Sequence, residues 1–203
     1  MSVCKEIADI DGMTAVERAL KRGGDIVGAI VLLIVLSPVF IYIYVRQKMN
    51  ASGPAIYSQE RIGKGGNPFR IYKFRTMVVD AEKDGVPQLE QVDDPRLTSF
   101  GRSLRKHHLD ELPQIWNVLK GDMSFVGYRP ERKYFIDQIM QQNPDYALLY
   151  CTCPGVTSMA TIENGYTDTM EKMLRRLDMD LYYLRHRSLW LDAKIVFNTL
   201  CKI

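Results

Sequence analysis

The sequence predicts an α+β fold that is mainly helical, with a broken membrane helix near its N-terminus, one small β-hairpin and amphipathic interfacial helices towards its C-terminus. Three observations carry this reading. An unbroken apolar run covers residues 26–45, short alternating stretches flank Gly63-Lys64-Gly65-Gly66-Asn67-Pro68, and apolar residues recur at helical spacing over residues 170–200.

Residues 1–24 read as an amphipathic segment, in which Met13, Val16 and Leu20 share a face and Glu17, Arg18, Lys21 and Arg22 form the wet side. The apolar run that follows would make a helix roughly 30 Å long, about the thickness of a hydrocarbon core. Two features favour a re-entrant membrane helix over residues 25–46. Arg18, Lys21 and Arg22 precede the run and Arg46 and Lys48 follow it, whereas a spanning helix gathers its Lys and Arg on one side. Pro38 lacks a backbone donor and its ring clashes with the preceding turn, so a helix bends or breaks there, and the Ser37 hydroxyl can serve a carbonyl freed by the break. A kinked span with the N-terminus outside is the alternative, since Pro also occurs in spanning helices. A cleaved signal peptide is not expected, because the run is long for an h-region and no A-x-A-like site follows.

A chain of 203 residues suits one domain of ordinary size, expected over residues 47–203, beside the membrane element. Its 27 Lys and Arg against 24 Asp and Glu leave +3, too mild for a nucleic-acid partner. The cations are clustered: Arg61, Lys64, Arg70, Lys73 and Arg75 lie close together, and Arg102, Arg105 and Lys106 follow. Such clusters suit phosphates or anionic headgroups, or form a solvated basic surface. The cysteines, Cys4, Cys151, Cys153 and Cys201, lack the spacing of a disulfide framework, which points to a reducing compartment. Neither they nor His107, His108 and His186 show zinc-ligand spacing.

Residues 55–62 and 69–75 read as the strands of the hairpin. Its Gly-Lys-Gly-Gly turn is no Walker loop, because it leads into a strand and lacks the G-x-x-x-x-G-K-[ST] spacing. Alternation puts Lys73 and Arg75 on one face and Tyr72 and Phe74 on the other, and two neighbouring cations suggest a phosphate grip. Residues 80–94 are polar, carry Gly85 and Pro87, and read as a surface loop without chemistry. Two helical pieces follow over residues 98–119, parted near His107 and His108 and ended by Gly121. Residues 170–200 then read as helix, mostly core-packed, with Tyr182, Tyr183 and Trp190 of the types that favour an interface.

The sharpest local feature is Leu109-Asp110-Glu111-Leu112-Pro113-Gln114. Pro113 belongs in a first helical turn, which places Asp110 at or near an N-cap. Asp110 could merely cap that helix, an effect of about 1 kcal/mol. Alternatively, free N–H groups at the helix start, beside Arg102 and Arg105, could hold a diphosphate and keep Asp110 ionised as a nucleophile. Mg2+ bridging Asp110 and phosphate oxygens would remove the repulsion between two anions, and it needs only one or two protein carboxylates.

At this point a set of motifs in register resembles the bacterial sugar transferases known as monotopic phosphoglycosyl transferases. They are Lys73-Phe74-Arg75-Thr76-Met77, Asp94-Pro95-Arg96, Gly101 with Leu104-Arg105, the Asp110-Glu111 segment, Trp116-Asn117-Val118-Leu119-Lys120-Gly121-Asp122-Met123-Ser124-Phe125-Val126-Gly127, Arg129-Pro130-Glu131 and Pro154-Gly155-Val156-Thr157. The resemblance implies transfer of a sugar 1-phosphate from a UDP-sugar to polyprenol (undecaprenyl) phosphate, with release of UMP, as the first membrane step of a surface glycan. It implies a re-entrant helix broken at Ser37-Pro38, catalytic helices around Asp110, and a place at the cytoplasmic face of the bacterial inner membrane. By resemblance Asp110 attacks the β-phosphorus and Glu111 positions the polyprenol phosphate or takes its proton. Lys73, Arg75, Arg105 and Arg129 are then the candidates for neutralising phosphates. Partners so implied are the bilayer, the two substrates and, downstream, further glycosyltransferases.

The chain departs from that pattern at two places. Tyr128 stands where many relatives have Pro, and residues 158–168 lack the Gly-Trp-Ala-Gln and Asn-Gly-Arg of many members, so a basic substrate contact near Tyr166 is missing. These departures bear on the sugar more than on the reaction. The several spanning helices of larger relatives are absent too, which suggests a compact form. A second reading is a non-catalytic membrane-bound assembly protein that recruits glycan enzymes through the same basic surface. Retention of Asp110 and Glu111 weighs against it.

Overall fold

The computed structural model describes residues 10–50, 53–81, 94–164 and 167–202. Cys4, most of the expected loop over residues 80–94, and Tyr166 lie outside them.

Helix α1 (Ala15–Val35) starts at Thr14, whose hydroxyl accepts from the Glu17 N–H while the Glu17 carboxylate accepts from the Thr14 N–H, a reciprocal cap. The amphipathic segment and the first half of the apolar run are therefore one helix, because nothing at Asp25 interrupts the ladder. The chain breaks after Leu36, and α2 (Ser37–Asn50) leaves at 60°. Pro38 has no N–H for the carbonyl of Ile34, and the Ser37 hydroxyl donates to that carbonyl at 2.8 Å. No single described helix is long and apolar enough to cross a membrane, whereas the bent pair together meets that length and composition.

The pair lies against the rest of the protein rather than standing clear of it. Ala29, Leu32, Leu36 and Phe40 pack with Ile71, Ile115 and Val118, and Ile43 packs with Phe74 and Leu104. Gly28 permits the approach, since a Cβ there would come within 2.9 Å of the Phe125 ring. The opposite side exposes Val27, Val31, Ile34, Val35, Ile41 and Tyr42 to the surroundings.

The N-terminal cations have partners within the protein. Lys21 pairs with Asp192, Arg18 with Asp11, and Arg22 donates to the carbonyls of Val118 and Leu119 at 2.6 and 2.9 Å. At the far end Gln47 donates to the carbonyl of Arg75, and Arg46 lies 5.7 Å over the Phe100 ring. Both ends of the bent pair are thus tied to the same body.

Strands β1 (Ile56–Ile62) and β2 (Pro68–Phe74) form the expected antiparallel hairpin, with Ile56 opposite Phe74 and Ile62 opposite Pro68. A 3-10 turn closes it, and Gly65 and Gly66 supply the positive φ values of 72° and 74° that the turn needs. Helix α3 (Ser99–Lys106) is capped by Thr98 and is followed by a 3-10 turn over Leu109–Glu111 and by α4 (Gln114–Lys120). Strand β3 (Ser124–Val126) pairs in parallel with β4 (Gly155–Thr157), a second sheet that three-residue strands gave no periodicity to reveal. Between them run α5 (Lys133–Gln142) and a 3-10 stretch over Pro144–Cys151.

After α6 (Met159–Asn164), the stretch over residues 170–200 is helical as expected and forms two helices, α7 (Met170–His186) and α8 (Leu189–Lys202). Arg187 turns to extended backbone, with its guanidinium on Asp11 and Thr152, and the Ser188 hydroxyl accepts from the Leu191 N–H to start the new helix. Tyr183 is buried with its hydroxyl on Asp192 instead of facing an interface, while Trp190 is 80% exposed beside Phe197 and Leu200 on the outer side of α8.

Candidate active site

Strand β2, the turn after α3 and the segment after β3 converge on Glu111. Lys73 Nζ donates to Glu111 Oε1 at 2.7 Å, and Arg129 Nη2 reaches the same oxygen at 3.4 Å. Burial alone would push the Glu111 carboxyl up, but the Lys73 ammonium and the Arg129 guanidinium outweigh it and hold the group down at about 2. Two cations around one carboxylate leave a local surplus of positive charge. Such a place attracts a phosphate.

Asp110 precedes Glu111 in the 3-10 turn and is 5% exposed. It is not the N-cap of the helix that carries Pro113, because Pro113 itself caps α4 and has no N–H to continue an i→i−4 ladder. The stretch tightens instead into i→i−3 bonds, from Glu111 N–H to His108 carbonyl and from Leu112 N–H to Leu109 carbonyl. His108 opens that turn with φ at 52°, a left-handed conformation that costs a non-glycine residue about 1 kcal/mol or more. Since α4 has only 7 residues, the positive field comes from side chains rather than from a helix terminus.

The four phosphate candidates fall into two groups. Lys73 and Arg129 meet at Glu111. Arg75 and Arg105 stand around Thr76: Arg105 Nε donates to the Thr76 hydroxyl at 3.1 Å, and Arg75 is buried against Gly53. Lys73 and Arg75 do not meet at one anion: Lys73 reaches Glu111, whereas Arg75, whose N–H prolongs the hairpin by donating to the Ala55 carbonyl, is buried against Gly53. Gly101 sets the place of α3, for a Cβ there would fall 2.0 Å from the Thr76 carbonyl oxygen. Arg102 points outward from α3 and is exposed.

Two supports went unnoticed in the sequence. Asn117 is fully buried, accepts from the Tyr72 N–H and donates to the Arg70 carbonyl, so it clamps α4 onto the free edge of β2 and fixes Lys73 relative to Glu111. A buried amide among Ile115, Val118 and Leu119 was the available signal, since it must find partners. Beneath Arg129, the Glu131 carboxylate binds Arg61 and Arg176, and Asp180 accepts the Arg129 backbone N–H. A small cleft opens beside this assembly, lined by Arg61, Ile71, Lys73, Gln114, Arg129 and Pro130.

Among the described residues no group of three or more His, Cys, Asp and Glu could hold a metal ion. Glu111 is held by two cations, and Asp110 is the neighbouring carboxylate in the same turn. That donor set fits a Mg2+ whose other ligands come from phosphate and water, and it fits no all-protein cage.

Against known proteins, the profile described as "Bacterial sugar transferase" matches residues 16–203. The UDP-N-acetylgalactosamine-undecaprenyl-phosphate N-acetylgalactosaminephosphotransferase of Aeromonas hydrophila is 41% identical over 181 residues, covering 89% of this chain and 43% of its own length. The UDP-glucose:undecaprenyl-phosphate glucose-1-phosphate transferase of Escherichia coli (strain K12) is 44% identical over 192 residues, covering 94% of this chain and 41% of its own. A Caulobacter vibrioides enzyme of the latter name is 41% identical, with 88% and 67% covered. The chain therefore spans less than half of the first two relatives, and the matched part holds every residue of the site described above. Matched over nearly its whole length by that profile and by these relatives, the chain belongs to the bacterial sugar transferase family.

Proposed function

We propose that the chain transfers a sugar 1-phosphate from a UDP-sugar to polyprenol (undecaprenyl) phosphate through a covalent intermediate on Asp110. The convergence of Asp110-Glu111 with Lys73 and Arg129 carries this reading, together with relatives named for such transfers. An Asp110 carboxylate oxygen would bond to the β-phosphorus as the bond from that phosphorus to the bridging oxygen breaks, and UMP leaves with the bridging oxygen. A polyprenol phosphate oxygen would then attack the same phosphorus, freeing the carboxylate and giving polyprenol-diphosphate-sugar. Asp110 is mostly buried, which limits the approach to its carboxylate. Mg2+, when bound at Asp110, would neutralise charge between carboxylate and phosphate.

Glu111 suits positioning better than proton transfer. A carboxylate held at about 2 is a poor base, and a phosphate monoester with a second pKa near 6 is mostly ionised at neutral pH. Its work is to hold Lys73 and Arg129 at the distance a phosphate needs.

The bent pair would lie in the cytoplasmic leaflet as a re-entrant hairpin, with the exposed face of α8 at the headgroups, so that a water-borne and a lipid-borne phosphate meet at one plane. A membrane-impermeant thiol reagent applied to intact cells should leave Cys4 unlabelled, and external labelling would mean a span instead. For the chemistry, UDP-sugars are incubated with polyprenol phosphate, Mg2+ and the solubilised chain. UMP should be released with at least one sugar, and Asp110→Asn should lower turnover at least roughly a thousandfold and abolish any trapped phosphosugar adduct. Full activity in that variant would remove Asp110 as nucleophile. Relatives of nearly equal identity are named for different sugars, so the sugar must come from the screen.

A further inference from the structure

Gln114 is 2% exposed, and its Nε2 has no hydrogen-bond partner. An amide donor sealed from water and left unbonded is a cost that folded proteins avoid in nearly every case. The Gln114 side chain lines the cleft beside Glu111, together with Lys73 and Arg129. Arg61 lines it too, and its Nε is likewise buried without a partner. Two orphaned donors and two further cations therefore surround one small space. They ask for an acceptor that carries negative charge.

The free space at the centre of the cleft is about 10 Å3. That is room for about one oxygen-sized atom, far too little for a sugar ring or a nucleobase. We propose that the cleft seats one non-bridging phosphoryl oxygen of the sugar-nucleotide diphosphate, and that Gln114 Nε2 donates the hydrogen bond that fixes it there, with Lys73 and Arg129 supplying the charge. The identity of this ligand rests on the transfer reading given above. Gln114 is then a substrate contact rather than part of the core. Its neutrality is useful, because a donor without charge can orient an oxygen while leaving the balance of Lys73, Arg129 and Glu111 unchanged.

Replacement by an apolar side chain of similar shape separates this role from a structural one. In the ligand-free state Gln114→Met removes a buried unbonded donor, so the full-length solubilised variant should melt at or above the temperature of the wild type. Inorganic pyrophosphate should raise the melting temperature of the wild type, and the concentration needed should increase about tenfold to a hundredfold in Gln114→Met, as for a lost hydrogen bond to a charged group. Gln114→Glu, which keeps the shape but repels an anion, should lose the response altogether. An unchanged pyrophosphate response in both variants, or no response in the wild type, would overturn the proposal. A wild type that binds pyrophosphate through Gln114 yet transfers no sugar would support the seat while removing the transferase reading.

Discussion

Glu111 and Glu131 are each clasped by two cations, yet they occupy opposite kinds of surroundings. Around Glu131 the Arg176 side chain is 8% exposed, and only Arg61, at 18%, reaches from the cluster to the cleft; around Glu111 the Arg129 side chain is 33% exposed and the cleft stands alongside. The same ion-pair chemistry therefore does two jobs. Where the charges are more deeply enclosed, as at Arg176 and Glu131, exchange of partners costs more and the cluster suits a foundation. Where an opening remains, the two cations stay within reach of an incoming anion, which is what the proposed phosphate site requires.

The comparison breaks most visibly at the more enclosed centre. Glu131→Ala leaves Arg61 and Arg176 buried without their shared anion, and the loss of folding stability should be about 3–5 kcal/mol. Chemical denaturation measures it. Activity per folded molecule should change far less, and a large fall in turnover of the fully folded variant would mean that Glu131 belongs to the site.

Glu111→Gln should weigh on turnover instead. The amide keeps the shape but no longer draws Lys73 and Arg129 into place, so turnover should fall roughly a hundredfold to a thousandfold, with a stability loss at neutral pH of up to about 3 kcal/mol, as the lowered pKa implies. The sign of its pH dependence follows from a folded pKa of about 2, below the ordinary carboxylate value. The stabilising effect of Glu111 is present above about pH 4.5 and is lost only as pH falls through about 2. An acid limb in the activity profile near pH 5 or 6 must then belong to another group, and its survival in Glu111→Gln would confirm this.

Asp180 links the two centres, since it accepts the Arg129 backbone N–H and lies near Arg176 and Glu131. Burial drives its carboxyl up to about 7, against the pull of Arg176 and of that N–H. A folded pKa raised above the unfolded one contributes stability that is complete below about pH 4 and disappears as pH rises through about 7. Between those limits the wild type should lose stability with a slope of at most about 1.4 kcal/mol per pH unit. Asp180→Asn, which imitates the protonated form, should flatten that slope; a wild-type curve already flat from pH 4 to 7 would show an ordinary carboxylate there.

How much of this was legible depended on the distance between partners in the chain. The break at Ser37-Pro38 could be read directly, because a missing donor and the hydroxyl that compensates for it lie within four residues. The hairpin could be read because alternation is local, and Asp110-Glu111 because the motif surrounds it. The part that Arg22 plays could not be read, because the carbonyls it serves are 96 and 97 residues away. The split between α7 and α8 was missed for the same reason, since Arg187 is drawn out of the helix by Asp11, 176 residues earlier. Local physics is written in the order of residues. Long-range electrostatics is written only in the fold.

Exposure as the deciding variable is tested most finely by a third ion pair. Lys133 and Asp137, one turn apart on α5, make a short contact of 2.7 Å, closer than Arg129 to Glu111, yet their side chains are 70% and 53% exposed. Water screens both ions already in the unfolded chain, so holding two long side chains together gains little over leaving them solvated. Lys133→Met should therefore change stability by no more than about 0.5 kcal/mol, and turnover not at all. If this pair proved worth as much as the enclosed Glu131 cluster, contact distance rather than exclusion of water would govern the charges of this protein, and the distinction between foundation and site would lose its basis.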